Sequence, residues 1–284
     1  MTDLAAEGPN AAQITYWNAT AGPIWVAMSD ALDSEIRPLG LAAMTALAPQ
    51  VGERVIDIGC GCGDTTLELA RRVGAGGSVL GADISAPMLD VARRRAGEAG
   101  LAQASFVQAD AQAHAFAGDA DAVFSRFGVM FFADPAAAFA NIRRALKPGG
   151  RLAFVCWRPL PENPWMTVPF AAAAPLLPAA PPPPDPLAPG PFAFADPVRV
   201  RGILVEAGFA DIAIDPHDEK VGWGDLEQSA QVSLRVGPLG AVVRDNPQLA
   251  GPIEAAVREG LRPYLTETGV LLDSATWIVT ARNG

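Results

Sequence analysis

Lysine is almost missing from this chain of 284 residues: only Lys147 and Lys220 occur, and 21 basic against 31 acidic residues leave a net charge of -10. Affinity for nucleic acid rests on basic surface that neutralises phosphates, so the balance argues against a nucleic-acid partner. The single basic triplet, Arg93-Arg94-Arg95, reads as a solvated helical surface. Cysteine is scarce as well, limited to Cys60, Cys62 and Cys156. That argues against a disulfide framework and for the reducing cytoplasm. Cys60-x-Cys62 lacks the spacing of about two to four residues that structural zinc pairs use, so no metal is expected. Apolar runs break at proline or charge before the ~20 residues that a membrane span needs. The first residues lack the basic-then-apolar order of a signal peptide, so none is expected.

Apolar residues, 28 glycines and 26 prolines are what the chain has in quantity. Its most telling stretch is Val55-Ile56-Asp57-Ile58-Gly59-Cys60-Gly61-Cys62-Gly63-Asp64-Thr65-Thr66. An apolar strand runs into closely spaced glycines and then a helix start, the arrangement that binds ligands beyond the carboxyl end of a parallel strand. Glycine permits positive φ and close approach of backbone to ligand. Thr65 with Glu68 three residues on predicts a capping box, with the helix opening at Thr65. A phosphate-binding P-loop is excluded, because no Gly-Lys-Ser/Thr follows.

Further strand-like segments end in chemistry-bearing residues: 78–83 in Asp83, 106–111 around Asp110, and 120–125 in Ser125. The turn Leu146-Lys147-Pro148-Gly149-Gly150-Arg151 leads into a fifth strand over 152–156. Taken in this order, these motifs resemble class I S-adenosylmethionine (SAM)-dependent methyltransferases over residues 44–157. The nearest likeness is to the small-molecule branch that includes the ubiquinone/menaquinone C-methyltransferases (methyltransferase type 11-like). Gln13-x-x-Tyr16-Trp17-Asn18 and the run from Ser125 to Phe132 fit that branch in outline.

The resemblance implies a Rossmann-like, three-layer α/β sandwich. Its seven-stranded sheet would have order 3-2-1-4-5-7-6, with the last strand antiparallel and helical lid elements around it. Four regions follow. Residues 1–43 form an N-terminal helical lid and 44–158 the SAM-binding core. Residues 159–195, which hold half of the prolines including Pro181-Pro182-Pro183-Pro184, form a connection in polyproline II and turns. Residues 196–284 complete the sheet and place a helical insertion over the acceptor pocket. Within the lid, 39–47 reads as a separate helix stopped by Pro49.

The resemblance also implies roles. Asp57, Gly59, Cys60, Gly61, Gly63, Asp83, Ile84, Asp110, Ala111 and Ser125 would hold SAM and its product, S-adenosyl-L-homocysteine. Asp57 would face the methionine ammonium or orient the loop, Asp83 the ribose diol, and Ile84 and Asp110 the adenine. Arg126, Met130, Trp157, Asn163 and Trp165 would line the acceptor pocket. Arg126, Tyr16 and His217 are candidate catalytic groups. Arg126 has a second reading, a structural ion pair with a neighbouring helix acid. The acceptor would be a small, apolar or aromatic molecule that receives methyl on O, N, S or C by in-line displacement. Two other classes stay open: a SAM-binding protein that does not methylate, and an NAD-dependent oxidoreductase, which the glycine spacing disfavours. The apolar composition is compatible with a homodimer.

Overall fold

Between the glycine loop and residue 157, apolar strands alternate with amphipathic helices, and in the computed structural model they form one parallel sheet. The structure describes residues 4–179 and 185–284. Strands β1 (Arg54–Ile58), β2 (Ser78–Asp83), β3 (Ala104–Gln108), β4 (Ala120–Arg126) and β5 (Leu146–Trp157) run parallel, and β6 (Phe209–Val221) and β7 (Leu272–Asn283) close one edge. The order is 3-2-1-4-5-7-6, with β7 antiparallel to both β5 and β6. The central strands bury both faces, Val55, Ile56 and Ile58 on β1 and Ala122, Val123 and Phe124 on β4, as a sheet covered by helices on both sides requires.

The helices are α1 (Ala11–Ala19), α2 (Ala21–Ala27), α3 (Ser29–Leu47), α4 (Asp64–Val73), α5 (Ala86–Glu98) and α6 (Pro135–Ala145). After β5 come α7 (Pro164–Ala173), α8 (Pro197–Glu206), α9 (Leu226–Ser233), α10 (Gly237–Asp245) and α11 (Ala250–Leu261). Several starts are written in the sequence. Asp134 and Asp196 accept from backbone N–H groups in the first turns of α6 and α8, and Asp225 with Gln228 forms a capping box on α9. The main core holds Phe124 and Phe154 of the sheet, Phe139 of α6 and Phe194 of the turn before α8, with Leu39, Met44 and Leu47 from α3. A second core joins Ala173 of α7, Ala230 of α9, and Ile253, Val257 and Leu261 of α11.

Three expectations change. The N-terminal region has no separate helix at 39–47, because α3 is continuous from Ser29 and contains Pro38. Proline removes one helical hydrogen bond, but Ser34, whose carbonyl loses its partner, lies exposed and water can replace the bond. The proline-rich connection contains α7, with Pro164 in the first turn and Pro169 inside the helix. Packing of Trp165, Val168 and Ala173 on the second core offsets that local cost. Residues 181–184, assigned to polyproline II, lie outside the described residues. Arg95 is not solvated surface: it donates to Asp33 at 2.8 Å and to Asp30 at 2.6 Å, tying α5 to α3.

Candidate functional site

The carboxyl ends of the parallel strands open into a cavity of about 810 Å³, within the range of ~300–1,000 Å³ typical of small-molecule sites. It lies where the strand order reverses between β1 and β4, the usual ligand position of such sheets. The loop after β1 forms one wall. Gly59 (φ 67°) and Gly61 (φ 54°) sit in the left-handed region. A Cβ at 59 would meet Gly128 Cα at 2.7 Å, and one at 61 would meet Met88 Cε at 2.9 Å.

At the end of β2, Asp83 lines the same wall. Its Oδ2 accepts from the Gly61 N–H at 2.8 Å and its Oδ1 from the Ser85 N–H at 2.8 Å. Burial raises its carboxyl above the ordinary value, opposed by those backbone bonds. Cys60, Ile84, Asp110 and Ala111 continue the wall. Asp110 Oδ1 accepts from Asn10 Nδ2 at 2.8 Å and from the Gln112 N–H at 2.9 Å. Helices α1 and α2 roof this end with Tyr16, Trp17 and Trp25. Asn18 fastens α1 below, donating to the Ile84 carbonyl at 2.9 Å and accepting from the Ala86 N–H at 2.9 Å.

The far end of the cavity is aromatic. Phe127, a non-glycine residue with φ 61°, stacks on Trp157 at 4.2 Å between ring centroids. Trp165 lies 4.8 Å from Trp157, and Trp223 lies 6.1 Å from Trp165. Met130 shares this lining. Left-handed backbone is costly for a bulky side chain, and here the stack holds it.

Arg126 also reaches the wall, but its guanidinium is engaged. It donates to Asp33 Oδ1 at 2.6 Å and to Asp64 Oδ2 at 2.9 Å, and its side chain is 8% exposed. Arg37 makes a further ion pair with Asp64. This is the helix-acid alternative read from the sequence, with α3 and α4 supplying the acids.

Five residues assigned to the site stand off the cavity lining. Asp57 is fully buried beneath the loop, and its Oδ2 accepts from the hydroxyls of Thr65 at 2.7 Å and Thr66 at 2.6 Å. The expected capping box is therefore absent: α4 begins at Asp64, Gly63 is its N-cap without a side-chain bond, and Thr65 turns inward to Asp57. Gly63 serves helix packing, since a Cβ there would meet Ala92 Cβ at 2.8 Å. Ser125 Oγ accepts from the Gly128 N–H at 3.2 Å. Asn163 is buried and pins β7, accepting from the Ala275 N–H at 3.0 Å and donating to the Arg158 carbonyl at 3.1 Å. His217 lies inside β6 opposite Thr276, because that strand runs on to Val221.

Asp57 Oδ1 has no hydrogen-bond partner among the described residues, and burial pushes the carboxyl from 3.8 up to about 6 despite the Thr66 and Thr65 bonds and the Arg126 charge. A raised carboxyl favours the fold fully below its unfolded value and loses that contribution as pH climbs through the folded one. Asp57→Asn should therefore gain stability over the native protein, by up to ~3 kcal/mol near neutrality, with the gain vanishing near about pH 4. Thermal melts across that range check this, and a pH-independent difference would contradict it.

Glu35, not foreseen from the sequence, lines the cavity between the aromatic wall and α3. It is 5% exposed. The indole N–H of Trp223 donates to its Oε2, while Oε1 has no partner among the described residues. The available signal was its place on the apolar stripe of α3, between Leu32 and Ile36 and Leu39.

Residues 55–150 match a family model described as a methyltransferase domain. The chain is 42% identical over 112 residues to the demethylmenaquinone methyltransferase of Thermus thermophilus, covering 39% of this chain and 50% of that one. It is 33% identical over 184 residues to the nocamycin O-methyltransferase of Saccharothrix syringae, covering 62% of this chain and 66% of that one. The chain thus spans half to two thirds of the length of these curated relatives. A solved structure of a Bacillus halodurans protein described as a methyltransferase shares the fold, at TM-score 0.56 and 20% identity over 86% of this chain and 97% of that one.

Proposed function

Because residues 55–150 belong to the class I SAM-dependent methyltransferases, we propose that this protein moves a methyl group from SAM to a small, largely apolar acceptor. One observation carries the reading: the left-handed glycine turn, Asp83 and the aromatic wall of Phe127, Trp157 and Trp165 line one continuous cavity. A Cβ at Gly59 or Gly61 would collide with Gly128 or Met88, so the loop keeps this close-packed shape at the cavity wall with glycine at both positions. Gly59, Cys60 and Gly61 would cradle it, Asp83 would take the ribose hydroxyls, and Ile84, Asp110 and Ala111 would border the adenine. Asp57, Gly63 and Ser125 would act from behind, holding the loop's shape.

When bound, SAM supplies a methyl already activated on a sulfonium. The protein's part is alignment and exclusion of water, so the reading includes no resident metal. Arg126 would order α3 and α4 around the site. The aromatic wall suits a planar acceptor and a nearby cation. The relative named for nocamycin is an O-methyltransferase, which supports oxygen as the receiving atom. The reading places the protein in the cytoplasm, in keeping with three buried free cysteines. Among the described residues no helix is long and apolar enough to cross a membrane. Pairing into a homodimer belongs to the reading too, and light scattering of the purified protein reads it directly.

The test uses SAM with a radiolabelled methyl group, incubated with the protein and a small-molecule extract of the source cells. Labelled small molecules are the expected product, and no label with any fraction would count against transfer. Calorimetry tests the cofactor end separately. Asp83→Ala should weaken SAM and S-adenosyl-L-homocysteine binding by ~1–3 kcal/mol, the usual cost of leaving buried polar partners unmet. An unchanged affinity would remove Asp83 from the ribose.

A further inference from the structure

Glu35 is a buried carboxyl set into an apolar, aromatic wall. On α3 its neighbours are Leu32 and Ile36, and opposite stand Trp223, Trp165 of α7 and Val232 of α9. One oxygen is held by the Trp223 indole, and the other, Oε1, has no partner among the described residues. A buried polar atom without a partner is costly, and such groups are kept where a ligand or a reaction needs them. Glu35 shares its stretch of the cavity wall with Trp223 and Trp165, the aromatic side against which the proposed methyl acceptor would sit. Resting on that proposed function, we infer that Glu35 receives the hydroxyl of a planar, apolar acceptor, a phenol or enol, and takes its proton during methyl transfer.

The step balances. The acceptor O–H bond breaks and its proton goes to Glu35 Oε1. The freed oxygen pair forms the new O–CH₃ bond as the carbon–sulfur pair returns to sulfur, and Glu35 later releases the proton to water. Burial, opposed by the Trp223 bond, holds the Glu35 carboxyl well above the ordinary carboxylate range, which favours uptake of a proton there. Other titratable groups on the cavity wall are Asp33 and Arg126, which neutralise each other in one network, Asp83, Asp110 and Tyr16, and the thiols of Cys60 and Cys62 in the glycine loop. None contributes to the shift at Glu35, whose causes are burial and Trp223 alone. α9 presents Val232 and Ser233, and Val236 follows it, none of them charged.

Trp223 is the positioning residue. Its N–H favours the ionised carboxylate, so Trp223→Phe should move the ionisation of Glu35 to higher pH. The experiment measures 2-naphthol and naphthalene binding to protein saturated with S-adenosyl-L-homocysteine, by fluorescence titration across pH. The native protein should favour naphthol by about tenfold or more, increasingly as Glu35 ionises. Glu35→Met should bring the ratio close to one while keeping S-adenosyl-L-homocysteine affinity within about twofold. Trp223→Phe should keep the preference but shift its midpoint upward. A ratio unchanged in Glu35→Met, or native protein that ignores the hydroxyl, overturns the inference and leaves the methyltransferase reading standing. Native protein that fails to bind S-adenosyl-L-homocysteine overturns the reading itself. An unmoved midpoint in Trp223→Phe would remove the role given to that indole.

Discussion

Replacing Arg126 by leucine should destabilise the protein by ~3–5 kcal/mol, the cost of breaking a buried ion pair from one side. The guanidinium is 8% exposed and sits between carboxylates that are each 10% exposed. Its removal leaves Asp33 with Arg95 alone and Asp64 with Arg37, both at more open positions. For a chain of this size the loss corresponds to a fall in melting temperature on the order of 10 °C by calorimetry. Adding Asp33→Asn to Arg126→Leu should recover part of it, because one of the stranded charges is then gone. A melting temperature within about 2 °C of native would mean that Arg126 is not structural, and would return it to the acceptor. The geometry leads us to expect the structural outcome.

Gly59→Val should have a comparable effect on the fold and a larger one on ligand. Left-handed backbone costs a branched residue ~1–2 kcal/mol, and overpacking adds ~1–3 kcal/mol. The new Cβ would lie 2.7 Å from Gly128 Cα, backbone that cannot swing aside as a side chain could. The loop must shift, and with it the Gly61 N–H that holds Asp83. SAM affinity should therefore fall by ~100-fold or more, since a misplaced site loses both contacts and orientation. Gly128→Ala approaches the same point from the other side, with its Cβ 2.8 Å from Gly59 Cα and 2.7 Å from the Ile58 carbonyl. If calorimetry shows native affinity in Gly59→Val, the close approach of these two turns is not what shapes the site.

The sheet was legible because buried parallel strands write themselves as short apolar runs, and their ligand-facing ends carry glycine or acid. Residues whose part depends on the strand end, such as Asp83 and Gly61, stand at the cavity. What could not be read were choices between partners. Thr65 can cap a helix or satisfy a buried acid, and only the fold shows that Asp57 lies within reach. Asn163 looks like a pocket amide until β7 arrives beside it, more than a hundred residues later in the chain. His217, a candidate catalytic group by residue type, is held in a strand instead, since an edge strand tolerates Pro216 and the acids around it. Glu35 was hidden for the opposite reason. A lone acid on an apolar helical stripe looks like an interruption of the pattern, and its meaning depends on Trp223, which is brought opposite it only by the packed insertion.

The N-terminal region, read as one lid, is held by two unlike fastenings. Helix α1 is attached by the neutral amides of Asn10 and Asn18, to Asp110 and to the backbone at Ile84 and Ala86. Helix α3 is anchored by the buried charges of Asp33 and by Leu39, Met44 and Leu47 in the core. The side chains that would time the exchange of small molecules are thus separate from those that keep the chain folded. Change at Asn10 or Asn18 would loosen α1 at the mouth of the cavity, whereas change at Asp33 would strand buried charge in the centre of the molecule.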